Sequence, residues 1–209
     1  MLFKKSDNQA VDADDLPRVM NNLATHITSV SNVGMFSFME EVISQDESAK
    51  AVEEKALKQT CLSFNTIFAI LKIKSSSLDY SLKCDSIDII KKALWMDLLP
   101  DFGSSPYFDE AKEAQKKLAE PGGGAEYGLL ISEMFFSMYD SLVEEKSNKT
   151  QFSYVEDICK ELQLKSIHSL ALNITVNQAL VAGVADIEKA SGTAVFLVGG
   201  GAKILGFKR

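Results

Sequence analysis

Twenty consecutive residues near the end of the chain, 166–185, carry no formally charged side chain (SIHSLALNITVNQALVAGVA). Seven of these twenty are polar, which is too many for a membrane span, since a span needs about 20 predominantly apolar residues. A stretch of this length and composition is typical of a helix that other helices cover. We therefore expect 166–185 to be the central, buried helix of a mainly α fold.

Apolar side chains recur at steps of three and four residues along most of the chain, which is the spacing of one helix face. Leu16, Val19, Met20, Leu23 and Ile27 show this pattern clearly. The periodicity, together with proline and glycine at segment ends, predicts a compact bundle of about seven to eight helices. The predicted helices cover residues 16–31, 34–44, 47–73, 86–99, 105–119, 125–146, 152–163 and 166–185.

The length and composition of the chain favour one domain. It has 209 residues, of which 46% are hydrophobic and 24% are charged. This is enough apolar material for one sizeable core, because domains commonly run to about 100–200 residues. We expect a flexible N-terminus over residues 1–13 and a single helical domain over 14–209. If a domain seam exists, we place it at 100–124, although an inter-helix loop is the simpler interpretation of that segment.

The chain ends in AVFLVGGGAKILGFKR, where three glycines separate two apolar runs. The segment lacks the serine or threonine after Lys203 and the glycine spacing of a phosphate-binding loop. Its β-branched and aromatic residues around a glycine turn predict a C-terminal β-hairpin over 193–207, in which 193–198 pairs with 202–207. Because an isolated hairpin is marginal in water, we expect it to pack on the helices or to pair with a second copy of the chain.

The net charge and the cysteine pattern limit the classes of binding partner and the cellular compartment that we expect. The net charge is −7, and Arg18 and Arg209 are the only arginines in the sequence. Since phosphate sites favour the arginine fork and an acidic surface repels phosphate, we expect no nucleic acid partner. The three cysteines, Cys61, Cys84 and Cys159, match neither a disulfide framework nor a zinc pattern. No signal-peptide core follows the first residues, so a cytoplasmic location is expected.

The residue patterns that usually mark catalysis or metal binding do not occur in this sequence. Its two histidines, His26 and His168, have neither the glutamate spacing of a di-iron bundle nor the partner of a His-Glu-x-x-His zinc pair. A Gly-x-Ser-x-Gly elbow and a Ser-x-x-Lys pair are also absent. We expect no catalytic, cofactor-binding or metal-binding residues, and we favour a protein without enzymatic activity.

Three side chains within 166–185 are candidates for buried polar contacts: His168, Asn173 and Asn177. Asn173 and Asn177 are four residues apart and therefore lie on one helix face. A buried asparagine needs hydrogen-bond partners, and it costs about 1–3 kcal/mol when it is left without them. The pair predicts either an inter-helix hydrogen bond that fixes the register, which we favour, or a polar contact at the floor of a pocket.

The predicted helix 125–146 has apolar residues on two sides. Three of them, spaced by seven, form a stripe opposite the main apolar face. Such a stripe is either buried in the core, which is the commoner case, or offered to a partner. The candidate partner-binding residues are this stripe and the apolar side chains of the C-terminal segment: Leu129, Phe136, Val143, Phe196, Val198, Ile204 and Phe207.

These observations favour a non-catalytic helical interaction protein, which binds a protein partner or assembles with itself through apolar helix faces and the C-terminal segment. One alternative is a small-molecule or lipid-binding helical domain, in which a cavity under the Phe- and Met-rich helices takes a small apolar ligand. A further alternative, which we favour less, is peripheral membrane association through the C-terminal forty residues.

Overall fold

The computed structural model of the chain describes residues 15–43, 47–94, 106–147 and 166–200. Over these ranges the chain is helical, with short turns and without strands. The α-helices are α1 (Leu16–Val42), α2 (Glu47–Lys74), α3 (Tyr80–Ala93), α4 (Tyr107–Ala119), α5 (Gly124–Ser147) and α6 (Ser166–Val195), and a π-helical turn (Phe196–Gly200) follows α6. The prediction of a mainly α, compact helical bundle is confirmed.

Local sequence signals set several of the helix ends. Pro17 lies in the first turn of α1, where its missing N–H is not needed. Asp79 caps α3, because its Oδ1 accepts a hydrogen bond from the backbone N–H of Leu82 at 2.9 Å. α4 has acidic side chains in its first turn and lysines in its last turn, an order that complements the helix dipole.

α2 is the central helix of the bundle. It packs against each of the other five helices. Every residue from 60 to 71 is buried except Leu62, which is half-buried. This segment lies within thirteen uncharged residues between Lys58 and Lys72. The core is therefore built around α2.

The prediction that 166–185 is the central buried helix is wrong where the side chains are described, from residue 175 onward. Val176, Leu180 and Val184 are buried, but Gln178 and Ala182, on the other side of α6, are exposed. Alanine and uncharged polar side chains can face water without a charge, because they expose little apolar surface. The lack of charge in 166–185 therefore does not imply burial on every side.

Four phenylalanines join α1 to α2 and α5. The rings of Phe38 and Phe135 stack with their centroids 5.0 Å apart. Phe64 meets Phe135 and Phe68 edge to face at 5.3 and 5.2 Å. All four side chains are almost completely buried. Because aromatic side chains bury large areas and these geometries are favourable, this cluster helps to hold the three helices together.

Over the residues that the structure describes there are six α-helices, against the seven to eight predicted for the whole chain. The predicted helices 16–31 and 34–44 form one continuous helix, α1, which passes through Gly34 without a break. A glycine inside a helix costs about 1 kcal/mol, and the burial of Phe38 one turn later more than offsets this cost. The predicted helix 152–163 lies outside the described residues. α3 begins six residues before the predicted start at 86, since Asp79 and not Asp85 caps it.

The first strand of the predicted hairpin, 193–198, is helical. α6 continues to Val195, and residues 196–200 form the π-helical turn. The helix extends this far because its buried stripe continues at Ser191 and Ala194, three and four residues apart like the rest of the stripe. The Leu78 side chain fills the space that a Cβ of Gly199 would need, so the turn packs closely on the loop before α3. The second predicted strand, 202–207, lies outside the described residues.

Candidate functional site

An open groove of about 420 Å³ lies between α1 and α6. Its floor consists of Phe38, Phe64 and Phe135 from the aromatic cluster, together with Cys61 and Asn65 of α2. All five floor residues are buried. We call this space the α1/α6 groove, and its lining is mostly apolar.

The two walls of the α1/α6 groove differ in side-chain size. α1 contributes Val30 and Val33, whereas α6 contributes Ala179, Ala182 and Gly183. A Cβ placed on Gly183 would lie 3.6 Å from Val30 Cγ1, so the two helices are close at this point. The groove remains open because α6 offers small residues opposite α1. Larger side chains at these positions would fill it.

A hydrogen bond between α1 and α6 crosses one end of the groove. His26 Nε2 and Asp186 Oδ2 are 3.0 Å apart, and both side chains are partly exposed. A carboxylate oxygen accepts hydrogen bonds, so Nε2 is the donor. The same two residues line a second hollow of about 320 Å³, farther along the two helices toward Leu197. The His26–Asp186 pair therefore stands between two hollows of one α1–α6 interface.

A buried polar network lies behind the floor. Ser31 Oγ is 2.7 Å from the backbone oxygen of Ile27 and 3.2 Å from that of Cys61. Asn65 Nδ2 donates a hydrogen bond to the same Ser31 oxygen at 3.0 Å. Asn65 lines the groove, while Ser31 does not. The network ties α1 to α2 and fixes the Asn65 side chain at the groove floor.

Cys61 is the nucleophilic residue type on the floor, and its surroundings keep it unreactive. Burial raises the pKa of the Cys61 thiol from 9.0 to about 12, although a backbone hydrogen bond acts weakly in the other direction. The thiol therefore stays protonated near neutral pH, and the thiolate is the reactive form. Over the ranges that the structure describes, no three histidine, cysteine, aspartate or glutamate side chains come together as a metal site would require.

The structure separates the predicted partner-binding residues from one another. On α5, Leu129 is 55% exposed, Phe136 is half-buried against the core and Val143 is 1% exposed. The stripe of three therefore does not form one exposed face. In the π-helical turn, Phe196 is exposed and Val198 packs partly on the core. Ile204 and Phe207 lie outside the described residues.

Of the three residues predicted to make buried polar contacts, the structure describes the side chain of Asn177. His168 and Asn173 belong to α6, but their side chains lie outside the described set. Asn177 is half-buried and faces α5, where its amide occupies the space that a Cβ of Gly128 would need. This position is a helix–helix contact between α6 and α5, away from the α1/α6 groove. The floor of the groove instead carries the amide of Asn65.

Sequence reasoning missed Asn65 and Ser31 as site residues. The available indication was an asparagine within the uncharged part of α2, residues 59–71. The reasoning that selected Asn173 and Asn177, that a buried amide needs partners, applies equally to Asn65. Its partner Ser31 could not be identified in this way, because the sequence does not show which residues of α1 face Asn65 on α2.

No protein-family model, curated protein or solved structure matches this chain. Among the helices described, none combines the length and the apolar character needed to cross a membrane. The α1/α6 groove is therefore interpreted from its own geometry and chemistry.

Proposed function

We propose that this chain is a non-catalytic helical binding protein, and that the α1/α6 groove holds a small, largely apolar ligand. The observation that supports this proposal is the groove itself, with an aromatic floor and few polar atoms around an open volume of about 420 Å³. Ligand sites commonly have volumes of about 300–1,000 Å³ with mostly apolar walls and a small number of placed polar groups.

The empty space and the exposed apolar side chains at the groove support the same proposal. Protein interiors are normally packed as densely as organic crystals, and groups beside an empty space lose their dispersion contacts. At the α1 side of the groove Val33 is 65% exposed, and the neighbouring Phe36 is 68% exposed. A bound apolar molecule would restore contacts to the floor and would cover part of this exposed surface.

The fluorescent apolar dye N-phenyl-1-naphthylamine tests the proposal, because its emission rises when it leaves water. We expect saturable binding to the wild-type chain and loss of binding in Gly183→Leu, whose side chain would fill the groove. The matched control is Gly192→Leu, which makes the same change on α6 at a position that does not line the groove. Dye binding that is absent from the wild-type chain, or equal in both variants, would contradict the proposal.

A second candidate function is self-association through exposed apolar side chains outside the groove. Leu129 on α5 and the adjacent pair Phe196 and Leu197 are exposed, although large apolar side chains usually avoid water. Light scattering after size-exclusion chromatography tests this candidate. We expect a concentration-dependent dimer that Leu129→Gln or Phe196→Gln weakens, whereas a strict monomer at high concentration would exclude it.

A further inference from the structure

The hydrogen-bonding network at the floor determines which end of the Asn65 amide faces the groove. The Ser31 hydroxyl has one hydrogen, and its neighbours at 2.7 and 3.2 Å are the carbonyl oxygens of Ile27 and Cys61. Carbonyl oxygens only accept, so the hydroxyl hydrogen is directed to them. The third neighbour of Ser31 Oγ must then be a donor. Asn65 Nδ2 is therefore the atom that faces Ser31 Oγ, and Asn65 Oδ1 faces away from Ser31.

Asn65 Oδ1 points toward Gly183 on the opposite wall of the groove. A Cβ on Gly183 would lie 3.9 Å from Oδ1, so the absence of a side chain at residue 183 leaves this oxygen uncovered. The Asn65 side chain lines the groove and the residue is 7% exposed. Within the described ranges, the hydrogen bond of its amide is the one from Nδ2 to Ser31. The floor therefore presents a buried acceptor surrounded by apolar side chains.

The charges around the groove disfavour an anionic ligand. Asp186 places a carboxylate at one end, and its neighbour His26 already directs Nε2 to that carboxylate. The chain as a whole carries a net charge of −7. A ligand carboxylate or phosphate would meet repulsion from Asp186 and would find an acceptor, rather than a donor, at the floor.

We infer that the ligand class of the α1/α6 groove is an apolar molecule with a hydroxyl or amino group at its buried end, and that Asn65 Oδ1 accepts the hydrogen bond from that group. Ser31 is a positioning residue, because it holds the amide in the orientation that exposes its oxygen. This inference rests on the proposed ligand-binding function. The groove volume of about 420 Å³ lies in the range of about 300–1,000 Å³ that is usual for small-ligand sites, so a chain of about ten carbons is a suitable probe.

Displacement of N-phenyl-1-naphthylamine by matched aliphatic probes tests the inference. The first two probes are 1-decanol and methyl nonyl ether, which have the same number of carbons and one oxygen each but differ in the presence of a donor. The other two are decylamine and decanoate. We expect 1-decanol and decylamine to displace the dye at concentrations at least about tenfold lower than the ether. Decanoate should be the weakest competitor.

Two substitutions test whether the Ser31–Asn65 network causes the preference for 1-decanol over the ether. Asn65→Leu removes the acceptor and puts an apolar side chain of similar size in its place. The advantage of 1-decanol over the ether should therefore disappear while the dye still binds. Ser31→Ala leaves the amide of Asn65 intact but frees it to rotate, and the same advantage should fall several-fold. Asn21→Leu, an exposed asparagine of α1 away from the groove, is the matched control and should keep the wild-type preference.

The outcomes separate the inference from the proposed function. If the dye binds, Gly183→Leu blocks it, and the alcohol and ether compete equally, the groove binds apolar ligands but the inference is wrong. If the alcohol keeps its full advantage in Asn65→Leu or in Ser31→Ala, another group accepts the hydrogen bond and the inference is again overturned. If the dye and all four probes fail to bind the wild-type chain, the proposed function fails as well.

Discussion

α1 contacts its neighbours in two different ways. Toward α5 it stacks Phe38 on Phe135, which in turn meets Phe64 of α2 edge to face, and all three rings are almost completely buried. Toward α6 it faces Ala182 and Gly183, and an open groove remains. The difference arises from the size of the opposing side chains. The same helix therefore has aromatic packing on one side and, on the other, an open groove whose floor consists of the same rings.

The residues that stabilise α1 and the residues of α6 that shape the groove differ in size. A buried phenylalanine removes about 150–250 Å² from water, whereas alanine and glycine remove far less. Phe38 is therefore expected to contribute more to stability than Ala182 or Gly183 on the facing wall of the groove. Changes on the α6 side can alter binding at a smaller cost in stability, and the four predictions below test this division.

The largest effect is expected on the aromatic side. Phe38→Ala should lower the free energy of unfolding by about 3–5 kcal/mol, since it removes an almost completely buried ring that stacks on Phe135. Phe36→Ala removes the same side chain two residues away on α1, at an exposed position, and should change stability by less than about 0.5 kcal/mol. Urea denaturation measures both. Similar losses in the two variants would show that the aromatic side has no special role.

On the open side, filling the groove should stabilise the chain. Gly183→Leu replaces a helix-interior glycine and places apolar atoms against Val30, so we expect a gain of about 1–3 kcal/mol. Gly192→Leu provides the helix-propensity gain of less than about 1 kcal/mol without filling the groove. Thermal unfolding of both variants compares them. A loss of stability in Gly183→Leu would indicate that the groove is too narrow to accept a leucine.

The polar network behind the floor should contribute less. Ser31→Ala removes a buried hydroxyl that bonds to a carbonyl and to Asn65, so we expect a loss of about 0.5–1.5 kcal/mol. Ser37→Ala is the control, because that exposed hydroxyl bonds only weakly to its own helix, at 3.4 Å from Val33 O. Chemical denaturation of the two alanine variants measures the difference. Equal stability would show that the network does not hold α1 against α2.

The smallest effect is expected at the end of the groove. The His26–Asp186 pair is partly exposed, and exposed pairs contribute about 0.2–1 kcal/mol. A double-mutant cycle with His26→Ala and Asp186→Ala should give a coupling energy in this range. A coupling energy well above this range would mean that the pair is held more rigidly than its exposure indicates.

Much of the helical architecture was accessible from the sequence. The predicted helices 105–119 and 125–146 agree closely with α4 and α5, because proline, glycine and charge mark their ends. The break predicted before residue 34 does not occur. A glycine in a loop and a glycine inside a helix look alike in sequence, and the burial of Phe38 against other helices decides between them.

The groove itself could not be predicted, because it depends on contacts between distant parts of the chain. His26 and Asp186 are separated by 160 positions. The missing charge in 166–185 was interpreted as burial, whereas from residue 175 onward small and uncharged side chains form an exposed face. Asn65 was identifiable as a polar residue in an apolar helix. The direction of its amide depends on Ser31, which lies on another helix.

The position of Ser31 behind the groove floor has a consequence for how such a site can change. Ser31 does not line the groove, yet its single hydroxyl hydrogen determines whether the floor offers an oxygen or an N–H to a ligand. A replacement there that supplied a donor to Asn65 would reverse the amide and present the N–H, with the shape of the groove unchanged. Two chains with identical lining residues could then prefer ligands of opposite hydrogen-bonding character.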